Sequence, residues 1–591
     1  MCCRQSLIAG LLISSVGFSV SCGRAPVPVV DRIAILPLEN LTSDATLDWV
    51  SRAAQYALAN QLTGVGNLFP RTVPDTREAR LAGATRAVEG YLSGDANLLR
   101  IHAVVEDLSQ KKAASEIEIT GPRQKGLLPL IDQLAKAVNP LARPYSTKSD
   151  AALEEYAKGD FAGAVKQDAA FGPAYVNWIA QLRFKGDRDA GLDVLSKAKM
   201  QGDKLNELDR AQIDVAAAWL HPEDRNARRA AMMNLAMIVK YDTQLFRELS
   251  DAALLVRNYK SAAEWLEKSL AVEPGDTNAL NSLAYAYALS GDLAAAERTI
   301  AQYRKVAPGD ANTYDSMGEI YFVSGKFVDA EKAFSEGFEK SPQFSGGALM
   351  YKAAFSRLML GDEKGASGLF DRYLEFRQSA NDPTLEARRA NWEFLTGRRK
   401  AALARLAKLE TAQARGQLAI LLLLNGDAAG ARKQAESAMQ PPAQDKQLAS
   451  MAIFLAGPAT TAAQWQEAAA RVFGPASAAA IKNQFVAYGM FLKGQYADAA
   501  ALLGPLVTDA SPLSGTFQKE LLAASLVGAG RVAEAEPLVA MYPIPDGANE
   551  NVFTGMMFPR LFETRAAVLE KQGKAAEAKA MRELASKFAA H

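Results

Sequence analysis

The chain has 591 residues, too many for one ordinary hydrophobic core, and its 49% apolar and 23% charged residues exclude wholesale disorder. Lys and Arg number 67 against 66 Asp and Glu, a net charge of +1 that provides no long-range field for nucleic acid or an acidic membrane. Cysteine occurs only as Cys2, Cys3 and Cys22, which excludes a disulfide framework, a Cys-ligated zinc site or a thiol nucleophile in the body. The three histidines, His102, His221 and His591, are too scattered for a metal cluster. No cofactor or metal is expected.

Arg4 precedes an apolar and small run over residues 6–20, followed by Ser21 and Cys22. This is the pattern of a secretory signal, and the run is shorter than the ~20 residues of a membrane-crossing helix. Ser19-Val20-Ser21-Cys22 resembles the bacterial lipobox, with Ser19 where Leu is usual. The resemblance implies lipidation of Cys22, with residues 23–30 as a Pro-stiffened tether. A plain signal with an incidental Cys22 is the alternative.

Residues 31–146 read as a small α/β domain. Strands are expected over 33–38, 67–73, 87–92, 98–107 and 114–120, and helices over 46–62, 75–81 and 126–138. Gly64-Val65-Gly66 reads as a helix stop, because a dinucleotide loop would follow a strand and carry glycine where Phe69 stands. Ile33-Ala34-Ile35-Leu36-Pro37-Leu38-Glu39-Asn40-Leu41, the stretch 83–90 and Leu99-Arg100-Ile101 resemble the N-terminal α/β domain of TolB-like proteins. That resemblance implies a fold and a frequent neighbour, helical repeats, but no reaction.

A 34-residue period governs the chain from about residue 244. Pro274, Pro308 and Pro342 keep it, as do Ala262, Ala296 and Ala330, and Leu266, Ile300 and Phe334. Gly291 and Gly325 share a column in which Arg257 replaces glycine. Leu283, Ala284 and Tyr287 lie on one face of a first helix, Gly291 makes the turn, and Ala296 faces back from a second helix that Pro308 ends. Gly318, Tyr321, Gly325, Ala330, Phe334 and Pro342 take the same positions in the next copy. This matches the tetratricopeptide repeat.

A reduced signature, Gly with Ala five residues later, carries the pattern further. It occurs at Gly159/Ala164, Gly361/Ala366, Gly397/Ala402, Gly426/Ala431, Gly494/Ala499, Gly530/Ala535 and Gly573/Ala578, with Gly186-Asp187 and Leu195 as a looser copy. Repeats are therefore expected over 150–440, with further degenerate ones over 441–591. Pro441-Pro442 and Gly457-Pro458 suggest a bend between them. The expected class is mainly α: a tetratricopeptide-like α-solenoid, a superhelix of helical hairpins, preceded by a small α/β domain.

In such an array the first helices line a concave surface. Arg247, Asp251, Asn281, Tyr285, Asp315 and Glu319 turn away from the packing face and are candidate contacts for a protein or peptide, unless they form only a solvated face. No P-loop, zinc-protease, nucleophile-elbow or kinase motif is present, and no catalytic residue is expected. The expected function is a non-catalytic protein–protein interaction scaffold of the bacterial envelope, periplasmic or bound to the outer membrane through its lipid alone. The rival expectations are an envelope transport or assembly lipoprotein acting through the α/β domain, and a cytoplasmic regulator.

Overall fold

The computed structural model describes residues 30–110, 112–441, 446–473, 479–508, 516–544, 556–558 and 560–589. They form two compact units, one running to Leu220 with Met237–Tyr241 added, the other holding His221–Ala236 and Asp242 onward.

The first unit begins with a sheet of β1 (Asp31–Ile35), β2 (Glu39–Asn40), β3 (Leu68–Thr72), β4 (Arg86–Gly94), β5 (Leu98–Asp107) and β6 (Lys112–Pro122). Its order is β3-β1-β4-β5-β6, with β2 extending along β4; β1 is parallel to β3 and β4, and β4-β5-β6 is an antiparallel meander. The alternation in β5 sets one face, with Leu99, Ile101, Ala103 and Val105 all buried. Against that face lie α1 (Val50–Leu62) and α3 (Leu128–Val138), while α2 (Thr76–Leu81) follows β3. The α1 residue Gln55 donates its amide hydrogens to the Ile35 and Val73 carbonyls at 2.7 and 2.8 Å, satisfying two backbone acceptors at the ends of parallel strands.

The sheet does not complete its core alone. Ala152 and Leu153 of α4 (Asp150–Lys158), Ala164 of α5 (Phe161–Gln167), and Phe171 and Ala174 at the start of α6 (Gly172–Phe184) are buried in the same cluster as Leu58, Ile131 and Leu134. The Asp150 carboxylate also accepts from the backbone N–H groups of Leu127 and Leu128, capping α3 from the neighbouring helix. Tyr156 of α4 sits edge-on to Tyr56 of α1 at 5.9 Å. The unit continues through α7 (Arg188–Lys199) and α8 (Glu207–Leu220). In the Gly186 turn the small residue five positions on is Gly191, packed close to Leu220, so Gly191 rather than Leu195 fills the repeat column.

After α9 (Arg225–Ile238), the second unit is a succession of antiparallel hairpins. They are α10 (Thr243–Leu255) with α11 (Tyr259–Val272), α12 (Thr277–Leu289) with α13 (Leu293–Val306), and α14 (Asn312–Val323) with α15 (Phe327–Lys340). Next come α16 (Ala348–Met359) with α17 (Glu363–Ser379), α18 (Leu385–Leu395) with α19 (Arg399–Leu406), and α20 (Ala412–Leu424) with α21 (Ala428–Ala438). Then follow α22 (Lys446–Leu455), α23 (Ala462–Phe473), α24 (Ala479–Leu492), α25 (Tyr496–Thr508), α26 (Thr516–Gly528), α27 (Val532–Val539), α28 (Arg560–Lys571) and α29 (Ala575–Lys587). Pro441 and Gly457 interrupt the helices but not the core, which runs as one buried cluster from Ala387 to Val568.

The reduced signature has one physical cause. All seven of its glycines have φ between 76° and 88°, and all seven of its alanines are at most 1% exposed. Glycine takes the left-handed turn that lets the chain reverse, and alanine lets the second helix approach the first. In the turns at Gly159, Gly291, Gly361 and Gly426 the next residue is Asp, whose carboxylate accepts the N–H three positions on and caps the second helix. Gly318, in the small-residue column of α14, faces the ring of Phe334, which a Cβ would meet at 2.4 Å. Gly318→Ala is expected to cost about 1–3 kcal/mol by overpacking, read as a lowered Tm in circular-dichroism melts.

Candidate functional site

The six first-helix residues divide into two groups. Tyr285 of α12 donates its hydroxyl to Glu319 Oε2 at 2.5 Å, and Lys352 Nζ of α16 lies 2.5 Å from Glu319 Oε1 and 2.6 Å from Asp315 Oδ1. These residues tie three successive first helices together. The Lys352 side chain is only 9% exposed, yet the adjoining carboxylates of Glu319 and Asp315 outweigh the burial that opposes its charge and raise its pKa. Burial raises the Asp315 carboxyl in turn, with the Lys352 charge opposing. Burial, reinforced by Glu319, holds the Tyr285 phenol well above its ordinary range.

The other three take no part in this network among the hydrogen bonds of the described residues. Arg247 bonds Asp276 Oδ2 at 2.6 Å, the same carboxylate that caps α12. Asp251 is exposed. The Oδ1 of half-buried Asn281 is enclosed and accepts no hydrogen bond among the described residues. Lys352 escaped the sequence pattern because Gly361 follows Gly325 by 36 residues, so α16 falls out of the 34-residue register.

A second feature arises where later hairpins return onto earlier ones. The Tyr542 N–H donates to the Val323 carbonyl at 3.1 Å, and its ring packs edge-on against Phe327 at 4.9 Å. Beneath this contact lies a cavity of about 300 Å3, walled by Arg257 and Tyr259 from the α10–α11 turn, Leu289, Val323, Lys519 and Glu520 of α26, and the stretch 537–544. A neighbouring cavity of about 450 Å3 shares Arg257 and Leu538. Glu520 is buried and held bidentately by Arg565 at 3.0 and 3.1 Å. Lys519 is pushed down to about 8, first by burial and then by the nearby Arg257 charge.

Arg257 is the residue that departs from the glycine column, and it keeps the glycine conformation. Its φ is +58°, against +88° for Gly291 and +75° for Gly325. A side chain there costs roughly 1–2 kcal/mol. The following Asn258 caps α11 by accepting from Ser261 N–H, so the turn is otherwise built like its neighbours.

Residues 253–320 match the tetratricopeptide repeat family model. The columns within that stretch are thus those of tetratricopeptide repeats, and the fold is a mainly α, tetratricopeptide-like array with a small α/β sheet region ahead of it. No match was found among the curated proteins. Among solved structures, the chain is similar to YrrB, a TPR protein described as having an unusual peptide-binding site, at 17% identity and TM-score 0.27, covering 31% of this chain and 93% of that one. It is similar to a tetratricopeptide repeat protein from Parabacteroides merdae ATCC 43184 at 12% identity and TM-score 0.31, covering 48% and 98%. A third is a structure of Naa15/Naa10 bound to HypK-THB, at 13% identity and TM-score 0.30, covering 74% of each chain. Scores and identities this low say nothing about a shared ligand.

Cys22 and the rest of the expected signal lie outside the described residues. Among the described residues no group of His, Cys, Asp and Glu could hold a metal ion, and no helix is long and apolar enough to cross a membrane.

Proposed function

We propose that this chain is a non-catalytic protein–protein interaction scaffold of the bacterial cell envelope, seating a protein or peptide segment along the first helices α10 to α16 of its tetratricopeptide repeats. The observation that carries this reading is the Tyr285–Glu319–Lys352–Asp315 network. It fixes three successive first helices at one spacing, as a surface reading an extended segment requires. The lipobox-like Cys22 and the TolB-like character of the sheet favour an exported protein anchored by lipid, periplasmic or at the outer membrane.

The sheet and the first repeat helices share one core, so a cut between residues 146 and 150 would expose Leu153, Phe171 and Ala174. The full chain is therefore the species to test. A photo-crosslinking residue at Asp251 is expected to capture one partner protein in envelope preparations, whereas the same residue at the exposed second-helix position Lys332 is not. No adduct at Asp251, or the same adducts at both positions, would refute the scaffold. Cys22→Ala is expected to move the protein into the soluble fraction; unchanged membrane fractionation would refute the anchor.

A further inference from the structure

The sheet of the first unit ends in two edges of different character. Pro70 stands in the middle of β3, at one edge, and a residue without an N–H guards such an edge against further pairing. At the other edge, β6 carries no proline before Pro122, and no described strand pairs with its outer side. We propose that β6 accepts an extended segment of a partner protein as an added antiparallel strand, a segment in which Lys or Arg alternates with apolar residues.

The register shows which groups the edge offers. Leu98 lies opposite Pro122, and one position beyond them the Arg123 N–H donates to the Asn97 carbonyl at 2.9 Å. Bonded and non-bonded pairs alternate along an antiparallel ladder, so Gly121, Ile119, Ile117 and Ser115 bond inward to β5. The N–H and C=O groups of Glu116, Glu118 and Thr120 therefore point out from the sheet. A register shift at Val105/Glu106 confines this regular stretch to residues 115–122.

The side chains decide what fits. Ile117 and Ile119 stand opposite Ala103 and Ile101, on the face that α1 and α3 cover; Ile119 is buried and Ile117, nearer the rim, is half-buried. Apolar residues on an added strand would extend that row. On the other face Glu116 and Glu118 are exposed. Glu118 has Arg100 at 3.2 Å, with both side chains more than half in solvent, and Glu116 forms no ion pair among the described residues. A cation directly opposite each glutamate stabilises an added strand, and a like charge destabilises it. That argues against a second copy of this chain: pairing β6 with itself along its full length, centred on Ile117, puts Glu116 opposite Glu118 twice. The edge is closed to its own kind and open to a basic strand.

The test is fluorescence anisotropy of the full-length protein with a fluorescein-labelled heptapeptide of alternating lysine and valine. Saturable binding is expected, at least about tenfold tighter than for the peptide with glutamate in place of lysine. With the lysines opposite Glu116 and Glu118, the lysine amides donate to β6 and the valine amides face away. N-methylation of the lysine amides is therefore expected to abolish binding, and N-methylation of the valine amides to leave it in place. Glu116→Lys/Glu118→Lys is expected to reverse the preference between the two peptides. The methylated peptides test the unaltered protein, so they carry the decision if the variant fails to fold. Absence of saturable binding, equal loss with both methylated peptides, or an unchanged preference in the variant overturns the proposal. So does dimerisation of the free protein in analytical ultracentrifugation that the double variant abolishes, since the edge would then belong to a second copy. Partner capture at Asp251 is independent of all these outcomes.

Discussion

Glu520→Gln is expected to destabilise the second unit by about 3–5 kcal/mol, because it leaves a buried guanidinium without its counter-charge. The side chains of Arg565 and Glu520 are 4% and 5% exposed. Arg565 also donates to the Met541 carbonyl at 2.8 Å and lies over the Tyr542 ring at 4.6 Å, so it holds the 541–544 stretch against α26 as well. Arginine cannot shed its proton, and the stranded charge persists at every accessible pH. Arg565→Met strands the buried Glu520 carboxylate instead and is expected to cost a similar amount. The double variant Glu520→Gln/Arg565→Met should recover much of the loss, since neither buried charge is then left without its partner. Urea unfolding of the four species, treated as a double-mutant cycle, checks all three statements. Additive single losses would show that the pair does not act as one.

Lys352→Met is expected to cost about 3 kcal/mol at neutral pH, the scale for removing one partner of a buried ion cluster. Asp315 and Glu319, each with a side chain 17% exposed, then face one another with no cation between them. The sign of the pH dependence follows from the shifts. The Asp315 carboxyl is already raised by burial in the intact protein, and Lys352 is what restrains it. Without Lys352 the folded state binds a proton still more readily than the unfolded chain does. The variant therefore gains stability as pH falls through that raised pKa and loses it as pH rises. In the intact protein Lys352 is itself raised, so its contribution is present throughout the neutral range and is lost only as pH rises through its folded value, above the ordinary lysine range. Tm against pH for the two proteins should converge in acid and lie furthest apart near neutrality. Parallel curves would sink the assignment of the cluster as a charge-coupled unit.

Two features matter most for the sites, and neither follows from periodicity. Arg257 is conspicuous in the sequence as an exception in a glycine column, yet only the fold shows that it opens onto a cavity walled by residues more than 250 positions away, Lys519 among them. Lys352 is invisible to the repeat because two extra residues separate its turn from the one before, while the fold places its ammonium between two carboxylates. The short strand β2 likewise gives no alternation to read, since two residues show no period.

What the amino-acid order determined unaided was the recurring set of features fixed by neighbours within one hairpin. Glycine in a left-handed turn, alanine five residues on and proline at the exit act over distances of one or two helical turns, so each unit carries its own signal. The alternating strands of the sheet were legible for the same reason. What the tertiary structure alone decided was which hairpins meet after the chain has returned on itself. Phe558 against Phe355, Tyr542 against Phe327 and Arg565 with Glu520 join segments at unrelated spacings. Their pairing is fixed by complementary shape and by the cost of leaving buried groups unmatched, and neither of these leaves a period along the chain.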